Sequence, residues 1–226
     1  MKHYFILAFI ALSACKSTHD SIQVTPERRS GGSFKLDPRL AYNYHTKEKI
    51  PTDRFLKMVQ GGVFTVHPEF DSYGKVAKFY YDTTGHKGPL DPPKVLEIGK
   101  PFPEFNVTTI NKEKIRFDEL KGKHMVVRFE LFPDNYDFSN DALLDLEDEM
   151  SIFGSDLVGL MIFRGSDSPL KSLQVPGTTF DYFIQNSNFF HRYGVTKIPT
   201  TVVIDKKGIV VGLFEYEENI DLSILE

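Results

Sequence analysis

Gly194-Val195-Thr196-Lys197-Ile198-Pro199-Thr200-Thr201-Val202-Val203-Ile204-Asp205-Lys206-Lys207-Gly208-Ile209-Val210-Val211-Gly212 joins a helix end, a proline loop and a β-hairpin. Pro199 lacks an N–H, so it fits the first position of the strand that the β-branched run Thr200–Ile204 predicts. Asp205-Lys206-Lys207-Gly208 supplies a turn that ends in the residue most tolerant of positive φ, and Ile209-Val210-Val211 begins the returning strand.

Working back from this hairpin, Phe180–Gln185 predicts a strand, and 188–193 a short helix stopped by Gly194. Asp156–Phe163 predicts a buried strand. Leu143, Leu146, Met150 and Phe153 recur at helical spacing, with Gly154 closing the helix. Met125, Val126, Val127 and Phe129 form the apolar run of a central strand. Ahead of it, "IGKPFPEFNVTTINKEKIRFDELKGKHMVVRF" (98–129) predicts a hairpin turning at Asn111-Lys112 and a short helical step.

With Tyr193 in front, the opening stretch reads "YGVTKIPTTVVIDKKGIV". This string and the 98–129 segment resemble the thioredoxin-like superfamily, in particular its TlpA and AhpC/TSA branch. The resemblance covers about 98–212. It implies an α/β fold, a thioredoxin-like central mixed sheet flanked by helices, and a cis Ile198–Pro199 bond. After Gly212 the family usually adds a full helix, whereas only 219–226 remain here, so that helix is expected to be short or missing.

The domain plan is a small α+β preface at 34–82, a linker at 83–93 and the thioredoxin-like domain at 94–226. In the preface, Pro51-Thr52-Asp53 starts a helix whose Phe55, Leu56 and Val59 share a face, with Gly61-Gly62 stopping it. Val63–His67 and Lys75–Asp82 read as strands around the turn Asp71-Ser72-Tyr73-Gly74. Two glycines and three prolines in 83–93 mark the linker.

The chain opens as a targeting segment: Lys2-His3, an apolar core from Tyr4 to Leu12, then Leu12-Ser13-Ala14-Cys15. The last four residues resemble the lipobox of bacterial lipoproteins, which implies a signal peptide at 1–14 and acylation of Cys15. Cys15 is the one cysteine among 226 residues, so it has no disulfide partner within the chain. Acyl chains bury about 0.8 kcal/mol per CH₂, enough for lasting attachment when several are present. Lys16 after the cysteine resembles the outer-membrane sorting pattern, so the expected location is the bacterial cell envelope, lipid-anchored at the outer membrane. Polar residues at 15–33, including Pro26 and Gly31-Gly32, read as a flexible tether.

A net charge of −4 with no basic stripe argues against nucleic acid as partner, and no apolar run reaches the length of an ordinary spanning helix. Histidines are scattered without metal spacing, and neither a phosphate-binding glycine loop nor a serine elbow is present. The histidines and the aromatics of 180–193 therefore read as surface or core.

In redox-active members of the resembled family, two cysteines follow the first core strand. Counting five and eight residues from Phe129 lands on Asp134 and Asp137, in Leu131-Phe132-Pro133-Asp134-Asn135-Tyr136-Asp137. Thiol–disulfide exchange needs a thiolate, and a carboxylate cannot take its place. No catalytic residue, cofactor or resident metal is expected. Asp134 and Asp137 have two readings: N-cap and third residue of the long helix, or, with Glu130, oxygen ligands of a hard cation.

The resemblance implies a peptide-binding groove with Lys197, Ile198 and Pro199 facing Asp134, Asn135 and Tyr136. The expected function is a membrane-anchored, redox-inactive module that binds an envelope protein or peptide. An alternative is an oxidoreductase-related enzyme that uses a partner's thiols or a metal near Asp134 and Asp137.

Overall fold

The computed structural model describes residues 22–24, 34–61, 64–84, 95–134, 136–165, 173–216 and 220–226. The chain divides into two compact units, Met1–Asp37 and Pro38–Glu226. The signal peptide, Cys15 and the linker residues 85–93 lie outside the described residues. In the first unit, β1 (Ile22–Val24) pairs antiparallel with β2 (Phe34–Leu36), Ile22 opposite Leu36. A strand therefore occupies part of the stretch expected to be tether.

The second unit begins with a three-stranded sheet. β3 (Ala41–Asn43) is followed by α1 (Thr52–Gly61), β4 (Thr65–Phe70) and β5 (Val76–Asp82), in the order β3-β5-β4. The β4–β5 turn is held by Asp71, whose Oδ1 accepts from the N–H groups of Tyr73 and Lys75, both at 2.9 Å. On α1, Phe55 is fully buried, with Met58 and Val59 half-buried beside it, whereas Leu56 is exposed. A step of one residue turns a helix by about 100°, so Leu56 leaves the stripe that positions three and four residues after Phe55 continue.

The antiparallel pair β6 (Asn106–Thr108) and β7 (Lys114–Arg116) turns through Lys112, which adopts φ 69°. A 3-10 turn at Phe117–Leu120 leads into β8 (His124–Glu130). The chain continues through α2 (Asp141–Phe153), β9 (Leu157–Phe163), β10 (Tyr182–Gln185), α3 (Ser187–Tyr193), β11 (Thr200–Ile204) and β12 (Val210–Glu215). These five strands lie in the order β10-β9-β8-β11-β12, with β8, β9 and β10 parallel and β11 antiparallel to both neighbours. This is the thioredoxin-like mixed sheet that the sequence predicts.

Alternation along the strands sorts side chains onto two cores. Met125, Val127 and Phe129 of β8 face the layer of α3 and the β6–β7 hairpin, joining Phe102, Phe117, Phe189, Phe190 and Tyr193. Val126 faces α2, joining Leu143, Leu146, Met150, Met161 and Phe163. α2 presses close to β9 at Gly159, where an added Cβ would lie 2.6 Å from Met150 Cε and 3.0 Å from Phe180 Cα. α3 ends at Gly194, which takes the left-handed φ of 67° that a side chain would resist.

The preface hairpin docks on this second body. Asn106 N–H donates to Ser72 C=O at 2.7 Å, Asn188 Nδ2 to Gly74 C=O at 2.8 Å and Arg192 Nη1 to Phe70 C=O at 2.5 Å. His191 stacks on the Phe70 ring, with centroids 6.0 Å apart. Pro38–Glu226 is accordingly one unit, although the sequence reads as a preface and a domain. The chain closes on the short 3-10 turn Leu222–Leu225, whose Leu222 is buried in the α2-side core. No described helix is long and apolar enough to cross a membrane.

Candidate functional site

β8 and β11 are adjacent and antiparallel, with Phe129 opposite Thr200 and Arg128 opposite Thr201. The loop that leaves β8 and the loop that enters β11 therefore meet at one end of the sheet. This register brings residues separated by more than sixty positions to the same end of the sheet.

On the β11 side, the Ile198–Pro199 bond is cis. The hydroxyl of Thr200 donates to Lys197 C=O at 2.8 Å, and Pro199 C=O accepts from Tyr216 N–H at 2.7 Å. Between these two anchored carbonyls, the N–H and C=O of Ile198 take part in no hydrogen bond among the described residues. Lys197 is ion-paired with Glu215, and its ammonium lies 5.5 Å from the Tyr216 ring centroid.

On the β8 side, Leu131 and Phe132 are exposed, Phe132 at 49 %, and Tyr216 across the site is 53 % exposed. Leu131 and Phe132 follow β8 and Tyr216 follows β12, at the same end of the sheet, and exposed apolar side chains of this size are the kind that partners cover. Asp134 is exposed and Asn135 lies outside the described residues. Tyr136 turns inward: its ring packs against Phe138 and Phe163 at 4.7 and 5.5 Å, and its hydroxyl donates to Glu130 Oε1 at 2.9 Å. Burial, followed by the Glu130 charge, raises the Tyr136 phenol above its ordinary range, so it is held as a neutral donor.

The N-cap reading of Asp134 is corrected by the structure. α2 begins at Asp141, and its cap, six residues after Asp134, is Asn140, whose Oδ1 accepts from Leu143 N–H at 2.8 Å. Asp137 instead closes a turn, accepting from Ser139 N–H at 2.9 Å and from its hydroxyl at 2.6 Å. These two bonds hold its carboxyl below the usual carboxylate range. Asp134, Asp137, Ser139 and Asn140 can all cap a helix, and tertiary packing selects among them. Tyr136 and Phe138 must reach Phe163 and Phe183, so the chain stays non-helical until they are placed.

Glu130 is not available as a surface ligand for the cation reading. It is 6 % exposed and accepts from Arg128 Nε at 2.7 Å, while Arg128, 1 % exposed, also donates from Nη1 to Thr201 Oγ1 at 3.3 Å. Among the described residues, no three His, Cys, Asp or Glu side chains are grouped to hold a metal ion. The sequence does carry a signal for the buried pair: opposite charges two apart on an apolar strand share one face. The exposure of Leu131, Phe132 and Tyr216 has no comparable local signal.

No protein-family profile matches the chain, and no curated protein matches it. Solved structures do. They include a thiol peroxidase from Chromobacterium violaceum, 17 % identical, covering 54 % of this chain and 78 % of its own length, TM-score 0.42. The exposed lipoprotein thioredoxin of Streptococcus pneumoniae is 18 % identical, with 50 % and 90 % covered and TM-score 0.36. A thiol:disulfide interchange protein from Chlorobium tepidum is 21 % identical, with 53 % and 87 % covered and TM-score 0.35.

The sheet order and the cis-proline loop define the fold as thioredoxin-like. In the β8–α2 loop, Asp134 and Asp137 stand five and eight residues after Phe129, in a sequence whose one cysteine is Cys15.

Proposed function

We propose that this protein is a lipid-anchored envelope lipoprotein whose thioredoxin-like body binds an extended peptide segment of a partner and performs no thiol–disulfide chemistry. The observation that carries this reading is the open backbone of Ile198, at the end of the sheet where Leu131, Phe132 and Tyr216 are exposed. An unpaired N–H and C=O leading into a strand can pair with the backbone of an added segment, and exposed apolar side chains at the same end of the sheet can take its side chains. The thiolate that the redox reaction needs is missing from this end of the sheet, so the recognition surface is retained without the reaction. Anchoring at the outer membrane through Cys15 rests on Leu12-Ser13-Ala14-Cys15-Lys16.

The test pairs two measurements on the full acylated chain in detergent. In an insulin-reduction assay with dithiothreitol, the rate stays at the protein-free baseline. In hydrogen exchange, an extended peptide with an apolar centre slows exchange at 194–199 and 131–140. Catalysed insulin reduction would overturn the redox-inactive reading, and unchanged exchange with saturating peptide would overturn the binding site.

A further inference from the structure

The charge around this end of the sheet is lopsided. From residue 129 to residue 142 the chain contains four acidic side chains and no lysine, arginine or histidine. Three of the acids, Asp134, Asp137 and Asp141, occupy the loop beside Leu131 and Phe132 and the first turn of α2, and all three are exposed. The bond pattern at Asp137 favours its ionised form. The cations at the site are already engaged: Lys197 by Glu215, and Arg128 by Glu130. Among the described residues, Arg164 follows β9, and its charge is felt by His191 of α3, on the far face of the sheet from α2. The α2 side of the groove therefore presents carboxylates around an apolar pair.

We propose that the peptide accepted at the Ile198 edge is an extended segment with apolar residues at its centre and lysine or arginine on its flanks. This inference rests on the binding site proposed above and adds the sign of its charge. The apolar centre covers Leu131, Phe132 and Tyr216, the peptide backbone pairs with Ile198, and the basic flanks meet Asp134, Asp137 and Asp141. An acidic segment of the same shape would set like charges against each other, which suppresses the wrong partner.

Two blocked nine-residue peptides test this, each with a Phe-Val-Leu centre, one flanked by lysines and one by glutamates. Fluorescence anisotropy with the full acylated chain in detergent is expected to give the lysine peptide roughly tenfold tighter binding at low ionic strength, about 1.4 kcal/mol. Exposed charges are screened, so the gap narrows in ~1 M salt, where the Debye length is about 3 Å. The triple variant Asp134→Asn, Asp137→Asn, Asp141→Asn keeps side-chain shape and removes the charge, so it brings the two peptides to near-equal affinity. Phe132→Ser weakens both peptides alike. Equal binding of both peptides by the unaltered chain, or tighter binding of the glutamate peptide, overturns the charge inference and leaves the groove standing. Binding of neither peptide overturns the groove and this inference together.

Discussion

The Tyr136 hydroxyl donates to Glu130 Oε1 at 2.9 Å, tying the β8–α2 loop to the last residue of the central strand. Glu130 in turn holds Arg128, the largest fully buried side chain among the described residues. The loop is thus pinned to the sheet from below by a buried ion pair, while Leu131 and Phe132 are left in solvent.

Removing one member of a buried pair strands the other charge in the core, which typically costs about 3–5 kcal/mol. Glu130→Leu is therefore expected to lower stability by an amount in that range, measured by urea denaturation. The double variant Arg128→Met, Glu130→Leu should recover most of the loss, because no uncompensated charge remains. Tyr136→Phe, which removes one bond to a charged acceptor, should cost about 1.5–3 kcal/mol.

The cap assignment gives a sharp contrast between two residues six apart. Asn140→Ala is expected to cost about 1 kcal/mol because Leu143 N–H loses its acceptor. Asp134→Ala, exposed and outside α2, should stay within about 0.5 kcal/mol of the unaltered protein. Denaturation midpoints of the two variants measure this directly, and a reversed order would return the cap to Asp134.

Stability should fall in mild acid, in part through His191. Burial, and then the Arg164 charge, hold its imidazole below the ordinary histidine range. The unfolded chain therefore takes up this proton at a higher pH than the folded chain does. Stability from this group is full above the unfolded value near 6.5 and declines as pH drops below it, levelling once the folded form protonates. His191→Gln should flatten that part of the profile below about pH 6.5. Thermal midpoints across this range in both proteins provide the comparison, and identical slopes would exclude the assignment.

The anchor is tested by Cys15→Ser. If Cys15 is acylated as proposed, the variant is expected to move from the membrane pellet to the soluble fraction and to lose incorporation of radiolabelled fatty acid. Equal labelling of the two proteins would refute the lipid anchor.

Local signals in the sequence were sufficient for the strands and helices of the thioredoxin-like body, because their causes are local. β-Branched and apolar runs make β8, β9 and β11, helical spacing makes α2, and Gly154, Gly194 and Gly208 end elements where the backbone must take positive φ. The sequence also determined that no thiol stands at Asp134 or Asp137, since side-chain chemistry does not depend on folding. Which of several competent residues caps α2 was decided by packing: Tyr136 and Phe138 pack against Phe163, and the helix begins where that leaves it. Long-range pairing likewise decided that Arg128 and Glu130 find Thr201 and Tyr136 inside the sheet, and that the preface hairpin rests on α3 through Arg192 and Asn188. Those contacts join residues far apart in the chain, and their energies exist only once the strands are in register, so no stretch of sequence carries them alone.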